Sequence, residues 1–106
     1  MNTIKKLNKK FNLNSANSIN VARWLPQSLY YFFAYKELQK ENLVFSVPSG
    51  NFGNICAGLI AEKLGLPIKH FIASTNINDT IPRYFKSQVF DPKPTIQTVS
   101  NAMDVS

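Results

Sequence analysis

Between residues 19 and 40 the apolar positions recur at offsets of three and four. Ala22, Leu25, Leu29, Phe32, Phe33 and Leu38 follow this spacing, with Glu37, Lys40 and Glu41 late on the wet side. That spacing predicts an amphipathic helix, with Ser18 or Asn20 as the residue that caps its start. Pro26 falls inside the pattern, where it removes one hydrogen bond and crowds the carbonyl four residues back, so a kink or a start near Leu25 is expected. Residues 43–47 alternate too little for an exposed strand and read as a short buried one. The pattern breaks over residues 48–54. Residues 55–64 then form a compact helix with Ala57, Gly58 and Ala61 at close-packing positions, ended by Gly65 and Pro67. Residues 68–73 read as a second buried strand, and residues 80–86 as a short helix after a loop. Residues 1–17 are polar and irregular apart from one or two turns that Ile4, Leu7 and Phe11 allow. The stretch beyond Ser87, with Pro92 and Pro94, is irregular too.

Strand, glycine loop, helix and strand make one βαβ unit, parallel and right-handed by default. Two strands leave both faces and both edges of a sheet poorly covered, so the unit is expected to be part of a larger domain or to need a partner.

Composition narrows the class. At 106 residues, 44% hydrophobic and 17% charged, the chain suits one small globular α/β unit. No apolar run reaches the roughly 20 residues that cross a bilayer, and the basic start lacks the apolar stretch of a secretion signal. One cysteine, Cys56, forms no internal disulfide, and a cytoplasmic location is expected. Of the net charge of +6, Lys5, Lys6, Lys9 and Lys10 carry four, which leaves +2 for the remainder. A solvated basic tail accounts for this more simply than a nucleic-acid patch, since the aromatics lie in the helical cluster and not beside the lysines.

The chemistry lies in Ser49-Gly50-Asn51-Phe52-Gly53-Asn54, between a strand end and a helix start. The first turn of a helix leaves backbone N–H groups unpaired, and the aligned peptide dipoles add roughly half a positive charge there. Gly50 and Gly53 let the backbone approach a ligand closely, and Ser49, Asn51 and Asn54 add donors. The sum is a phosphate site made of neutral groups; the alternative is a tight turn without a ligand. It is neither a Walker loop, having no Lys-Ser or Lys-Thr after the second glycine, nor a three-glycine dinucleotide fingerprint. A phosphate-bearing cofactor other than a nucleotide fits what is left.

Residues 47–54, with Ala57-Gly58-Leu59-Ile60-Ala61 and Gly65-Leu66-Pro67-Ile68, resemble the threonine synthase family. Three further segments agree in the family's order. These are residues 14–20 with Arg23, Gln27, Tyr30, Tyr31 and Phe32; residues 71–73 with 75–80 and Pro82-Arg83-Tyr84; and residues 100–105. The resemblance covers about residues 13–106, leaving residues 1–12 as a basic irregular segment.

The resemblance implies part of a pyridoxal-phosphate-binding α/β domain: a partial three-layer, Rossmann-like parallel sheet of the tryptophan-synthase β type. It implies a lyase that converts O-phospho-L-homoserine and water to L-threonine and phosphate, with pyridoxal phosphate as electron sink. Ser49, Gly50, Asn51, Phe52, Gly53 and Asn54 would hold the cofactor phosphate. Asn76, Asn78, Asp79 and Arg83 are candidates for substrate, although Asp79 also suits a helix cap and Arg83 a surface pair with it. The family's Schiff-base lysine belongs to a segment upstream of the loop, and none of the four N-terminal lysines matches its surroundings, so no catalytic residue is assigned. The expected partner is the remainder of the enzyme or a complementing chain, and the chain alone is expected to be inactive. His70 has no second ligand cluster for a metal, and Cys56 is expected to pack against its helix. Two other readings are a fragment of a serine/threonine dehydratase relative, which shares only the loop, and a small basic nucleic-acid module.

Overall fold

The computed structural model describes residues 11, 17, 18 and 20–100. The N-terminal lysines and residues 101–105 of the last family-like segment lie outside the described residues. In chain order the elements are α1 (Val21–Leu38), β1 (Leu43–Pro48), α2 (Gly53–Lys63), β2 (Ile68–Ser74) and α3 (Thr80–Ser87).

Asn20 caps α1, its side-chain oxygen accepting from the Ala22 N–H at 2.9 Å. The helix runs through Pro26 without interruption, which corrects the expectation of a start near Leu25. The cap anchors the first turn ahead of the proline, so the missing N–H costs one bond near the end rather than in the middle of the ladder. At the other end Gln39 takes a left-handed conformation, φ 47°, and its N–H returns to the Tyr35 carbonyl.

β1 and β2 pair in parallel, with Phe45 opposite Phe71, Val47 opposite Ala73 and Pro48 opposite Ser74. The connecting helix α2 is made of small residues where it meets its neighbours. Ala57 and Ala61 are fully buried, and a Cβ on Gly58 would lie 2.6 Å from a Phe71 ring carbon and 2.8 Å from Tyr31 Cζ. The bare backbone at Gly58 therefore lets the aromatic rings of α1 and β2 close over the helix. Tyr31, 7% exposed, packs edge-on against Phe45 and Phe71 at ring distances of 4.9 and 5.9 Å. Leu66, Trp24, Val47 and Ile68 complete this core.

Both strands were expected to be buried, and the structure corrects this: each is covered on one face. Along β1, Leu43, Phe45 and Val47 are half-buried, while Val44, Ser46 and Pro48 are exposed. The register puts exposed Ile72 and His70 on the same outer face. Among the described residues the helical cover lies on the opposite face, that of Phe45, Val47 and Phe71. Part of the aromatic run on α1 is outward as well, with Tyr30 at 72% and Phe33 at 59% exposure.

Candidate functional site

Ser49 continues the sheet for one more bond, its N–H donating to the Ser74 carbonyl at 2.9 Å. The chain then turns away from β1 and enters α2 within four residues, which sets the loop at the carboxyl ends of both parallel strands. That end of an open α/β sheet, with a helix N-terminus beside it, is where ligands gather. Phe52 makes the turn by adopting φ 63°, a left-handed conformation unusual for a side chain of its size.

The polar side chains of the loop bind one another. Asn54 accepts from the Ser49 hydroxyl and from the Ile55 N–H, and donates to the Pro48 carbonyl at 2.8 Å. Asn51 accepts from the Gly53 N–H at 3.2 Å and donates to the Ser18 hydroxyl. Ser18 is brought there by the turn before α1, where its carbonyl also accepts from the Trp24 indole at 2.6 Å. Gly53 makes this approach possible: a Cβ at that position would lie 2.6 Å from the Ser18 carbonyl oxygen. Tyr31 closes the far side by donating to the Asn54 carbonyl at 2.7 Å. Burial raises the phenol of Tyr31 above its ordinary range, so it stays a neutral donor.

Once these bonds are made, the backbone N–H groups of Gly50, Asn51, Phe52 and Asn54 have no acceptor among the described residues. They crowd the first turn of α2, where the helix dipole is positive. The chemistry of this donor set is that of a cradle for an anion, and no cationic side chain is required.

Two concavities meet over Pro48 and Gly50. One, of about 330 Å³, continues past Ser49 to Ser74, Thr75, Asn76 and Ser100. The other, of about 270 Å³, is bounded by Ser18, Asn51 and Asn54 and adds Arg23 and Gln27 from α1. The first thus brings Ser49 and Gly50 of the loop together with Asn76, Asn51 and Asn54 line the second, and Phe52 and Gly53 border neither. The structure sets Asn78, Asp79 and Arg83 apart, around a depression of about 50 Å³ that also includes Lys93. Asp79 stands at the N-cap position of α3 without capping it; its carboxylate instead accepts from Arg83 Nε at 2.9 Å. Arg83 reaches Asp91 and Thr80 as well, at 3.2 Å each. Ser74 and Thr75 were not among the candidate site residues of the sequence; Ser74 ends β2 and Thr75 follows it, opposite the loop.

His70 lies exposed on β2, and no group of metal-ligating side chains occurs among the described residues. No described helix is long and apolar enough to cross a membrane.

No family model matches the chain. Threonine synthase from Haemophilus influenzae is 64% identical over 104 residues, covering 95% of this chain and 24% of that protein. Threonine synthase from Escherichia coli K12 is 59% identical over 97 residues, covering 89% of this chain and 23% of the relative. The crystal structure of Escherichia coli threonine synthase superposes with a TM-score of 0.82 at 50% identity, over 98% of this chain and 25% of that one. A pyridoxal-phosphate-bound threonine synthase from Brucella melitensis gives a TM-score of 0.78 at 38% identity, over 93% of this chain and 22% of the other. The chain spans about a quarter of the length of the relatives it matches. In sequence and in fold alike, nearly the whole of this chain is similar to one part of a threonine synthase.

Proposed function

We propose that this chain supplies the phosphate-binding loop of a pyridoxal-phosphate-dependent threonine synthase, which forms L-threonine and phosphate from O-phospho-L-homoserine and water. The observation that carries this reading is the set of backbone N–H groups at Gly50, Asn51, Phe52 and Asn54 that have no acceptor among the described residues, held at the start of α2 in a chain so similar to threonine synthases.

In this reading each part of the loop has a distinct task. The N–H groups of Gly50, Asn51, Phe52 and Asn54 receive the cofactor phosphate, with the α2 dipole reinforcing them. The side chains of Ser49, Asn51 and Asn54 hold the loop in shape, and Gly53 gives Ser18 room to dock. Bound there, pyridoxal phosphate supplies the electron sink for the reaction. On the other side of the loop Arg23 brings a guanidinium into a cavity bordered by Gln27 and Asn51, which suits an anionic group of the substrate. Asn76 faces the cavity that Ser49 and Gly50 also line and keeps a direct role toward ligand. Asn78, Asp79 and Arg83 act at one remove. No described residue takes the Schiff-base role, so the chain by itself is expected not to form threonine.

A chimera tests this. The matching 104 residues of the Haemophilus influenzae enzyme are replaced by this chain, and threonine formation is assayed with and without pyridoxal phosphate. The chimera should be active and cofactor-dependent. Gly50→Asp, which places a carboxylate against the phosphate, should weaken cofactor binding on the order of a hundredfold. A folded Gly50→Asp chimera that keeps full cofactor affinity would refute the assignment of the loop.

A further inference from the structure

After α3 the chain runs from Asp91 to Thr98 with no regular secondary structure. Three side chains from the preceding stretch fasten it. Arg83 donates to Asp91 at 3.2 Å. Asn78 grips the backbone of Ile96 in both directions, its amide donating to the Ile96 carbonyl at 2.9 Å and its oxygen accepting the Ile96 N–H at 2.8 Å. Asn76 donates to the Thr98 hydroxyl at 3.1 Å, and that same hydroxyl oxygen receives the Ser100 N–H at 3.3 Å. Asn76 also accepts the Asn78 N–H at 2.9 Å, so the two asparagines form one rigid corner directly after β2. The segment leads to Ser100, which borders the cavity beside Ser49, Gly50 and Ser74.

We infer that Asn78 is a positioning residue for the cofactor site: by clamping Ile96 it fixes the segment that sets Ser100 as a wall of the cavity. The two-way grip imitates one rung of a β-ladder, with a side-chain amide standing in for a peptide. It supplies the order that a backbone ladder would otherwise give, and the Asn76–Thr98–Ser100 relay carries that order to the cavity. The inference rests on the loop being the cofactor phosphate site. It adds that the wall opposite the loop is set by a residue that need not touch the ligand.

The test uses the full chain, its Asn78→Ala and Asn78→Asp variants, and Thr98→Val, which breaks the relay but leaves the clamp. Amide hydrogen exchange at Ile96 and Ser100 reads the clamp, and titration with pyridoxal phosphate, compared with pyridoxal, reads the site. Loss of one such grip should speed Ile96 exchange and weaken pyridoxal phosphate about tenfold in Asn78→Ala. In Asn78→Asp, which keeps the acceptor for the Ile96 N–H, protection at Ile96 should be largely retained. Thr98→Val should free Ser100, leave Ile96 protected and weaken the cofactor likewise. Unchanged Ile96 exchange in Asn78→Ala overturns the clamp. Faster exchange with unaltered cofactor affinity, in Asn78→Ala and Thr98→Val alike, overturns the positioning role. Should the parent chain bind pyridoxal no worse than pyridoxal phosphate while the clamp behaves as described, the loop assignment falls first and takes this role with it. If Asn78→Ala does not fold, Thr98→Val and Asn78→Asp decide the matter.

Discussion

The Tyr31 hydroxyl donates to the backbone carbonyl of Asn54 at 2.7 Å, joining the middle of α1 to the first turn of α2. The same ring packs between Phe45 and Phe71, so one side chain links the core to the loop. Tyr31→Phe keeps the ring and removes the bond. It should cost about 1 kcal/mol in urea unfolding, against about 3–5 kcal/mol for Tyr31→Ala, which also leaves a cavity. Equal losses for the two would mean that the hydroxyl, and not the ring, carries the contact.

The alkaline limb of stability should report the same residue. Burial raises the phenol above its ordinary 10.0. The fold thus favours the neutral form, and this contribution is complete below about pH 10 and lost as pH rises through the folded-state value. The stability gap between the parent chain and Tyr31→Phe should narrow above about pH 10. A gap of constant width from neutral to alkaline pH would show that this phenol does not titrate against folding.

Gly58→Ala should destabilise even though alanine is the better helix former. The new Cβ meets ring atoms of Phe71 and Tyr31 at 2.6 and 2.8 Å, and both rings are hemmed in by the core. Overpacking of this kind costs about 1–3 kcal/mol, while the gain in helix propensity is about 1 kcal/mol. A net loss is expected in the urea midpoint, and any net gain would mean that α2 is free to slide away from the rings.

Gln39→Gly should do the opposite. Gln39 closes α1 with φ 47° and is exposed, so glycine relieves the dihedral without losing a packed side chain. A stabilisation of about 0.5–1 kcal/mol is expected. Lower thermal stability in this variant would point to a role for the Gln39 side chain.

Gly53→Ala separates function from stability. Its Cβ would push against the Ser18 carbonyl oxygen, a backbone atom 2.6 Å away. The turn before α1 should lift off the loop, with pyridoxal phosphate affinity falling about tenfold or more. Full affinity with an undocked Ser18 would show that the loop holds its shape unaided.

The order of strand, loop, helix and strand could be read from the sequence because periodicity and the Gly and Pro breaks are local signals. The six loop residues stood out for the same reason, lying where a strand ends and a helix begins. Burial of the strands was misjudged because an apolar run such as Leu43 to Val47 tells which residues avoid water, not whether both faces are covered. Of the two outcomes that Pro26 suggested, the start near Leu25 was wrong, because the cap at Asn20, itself legible in the sequence, holds the first turn ahead of the proline. The fastening of residues 91–98 left no trace in the pattern: side chain to backbone bonds such as that of Asn78 with Ile96 have no period. Asn54 was expected to face a ligand with its side chain, yet its amide group is spent on Pro48, Ser49 and Ile55.

That last arrangement has a thermodynamic corollary. Ser49, Asn51 and Asn54 give up their rotamer freedom when the chain folds, and Tyr31 pins the turn from beneath. Under the proposed function, an incoming anion would find a loop with little entropy left to lose, and its arrival need only release the water that solvates the N–H groups.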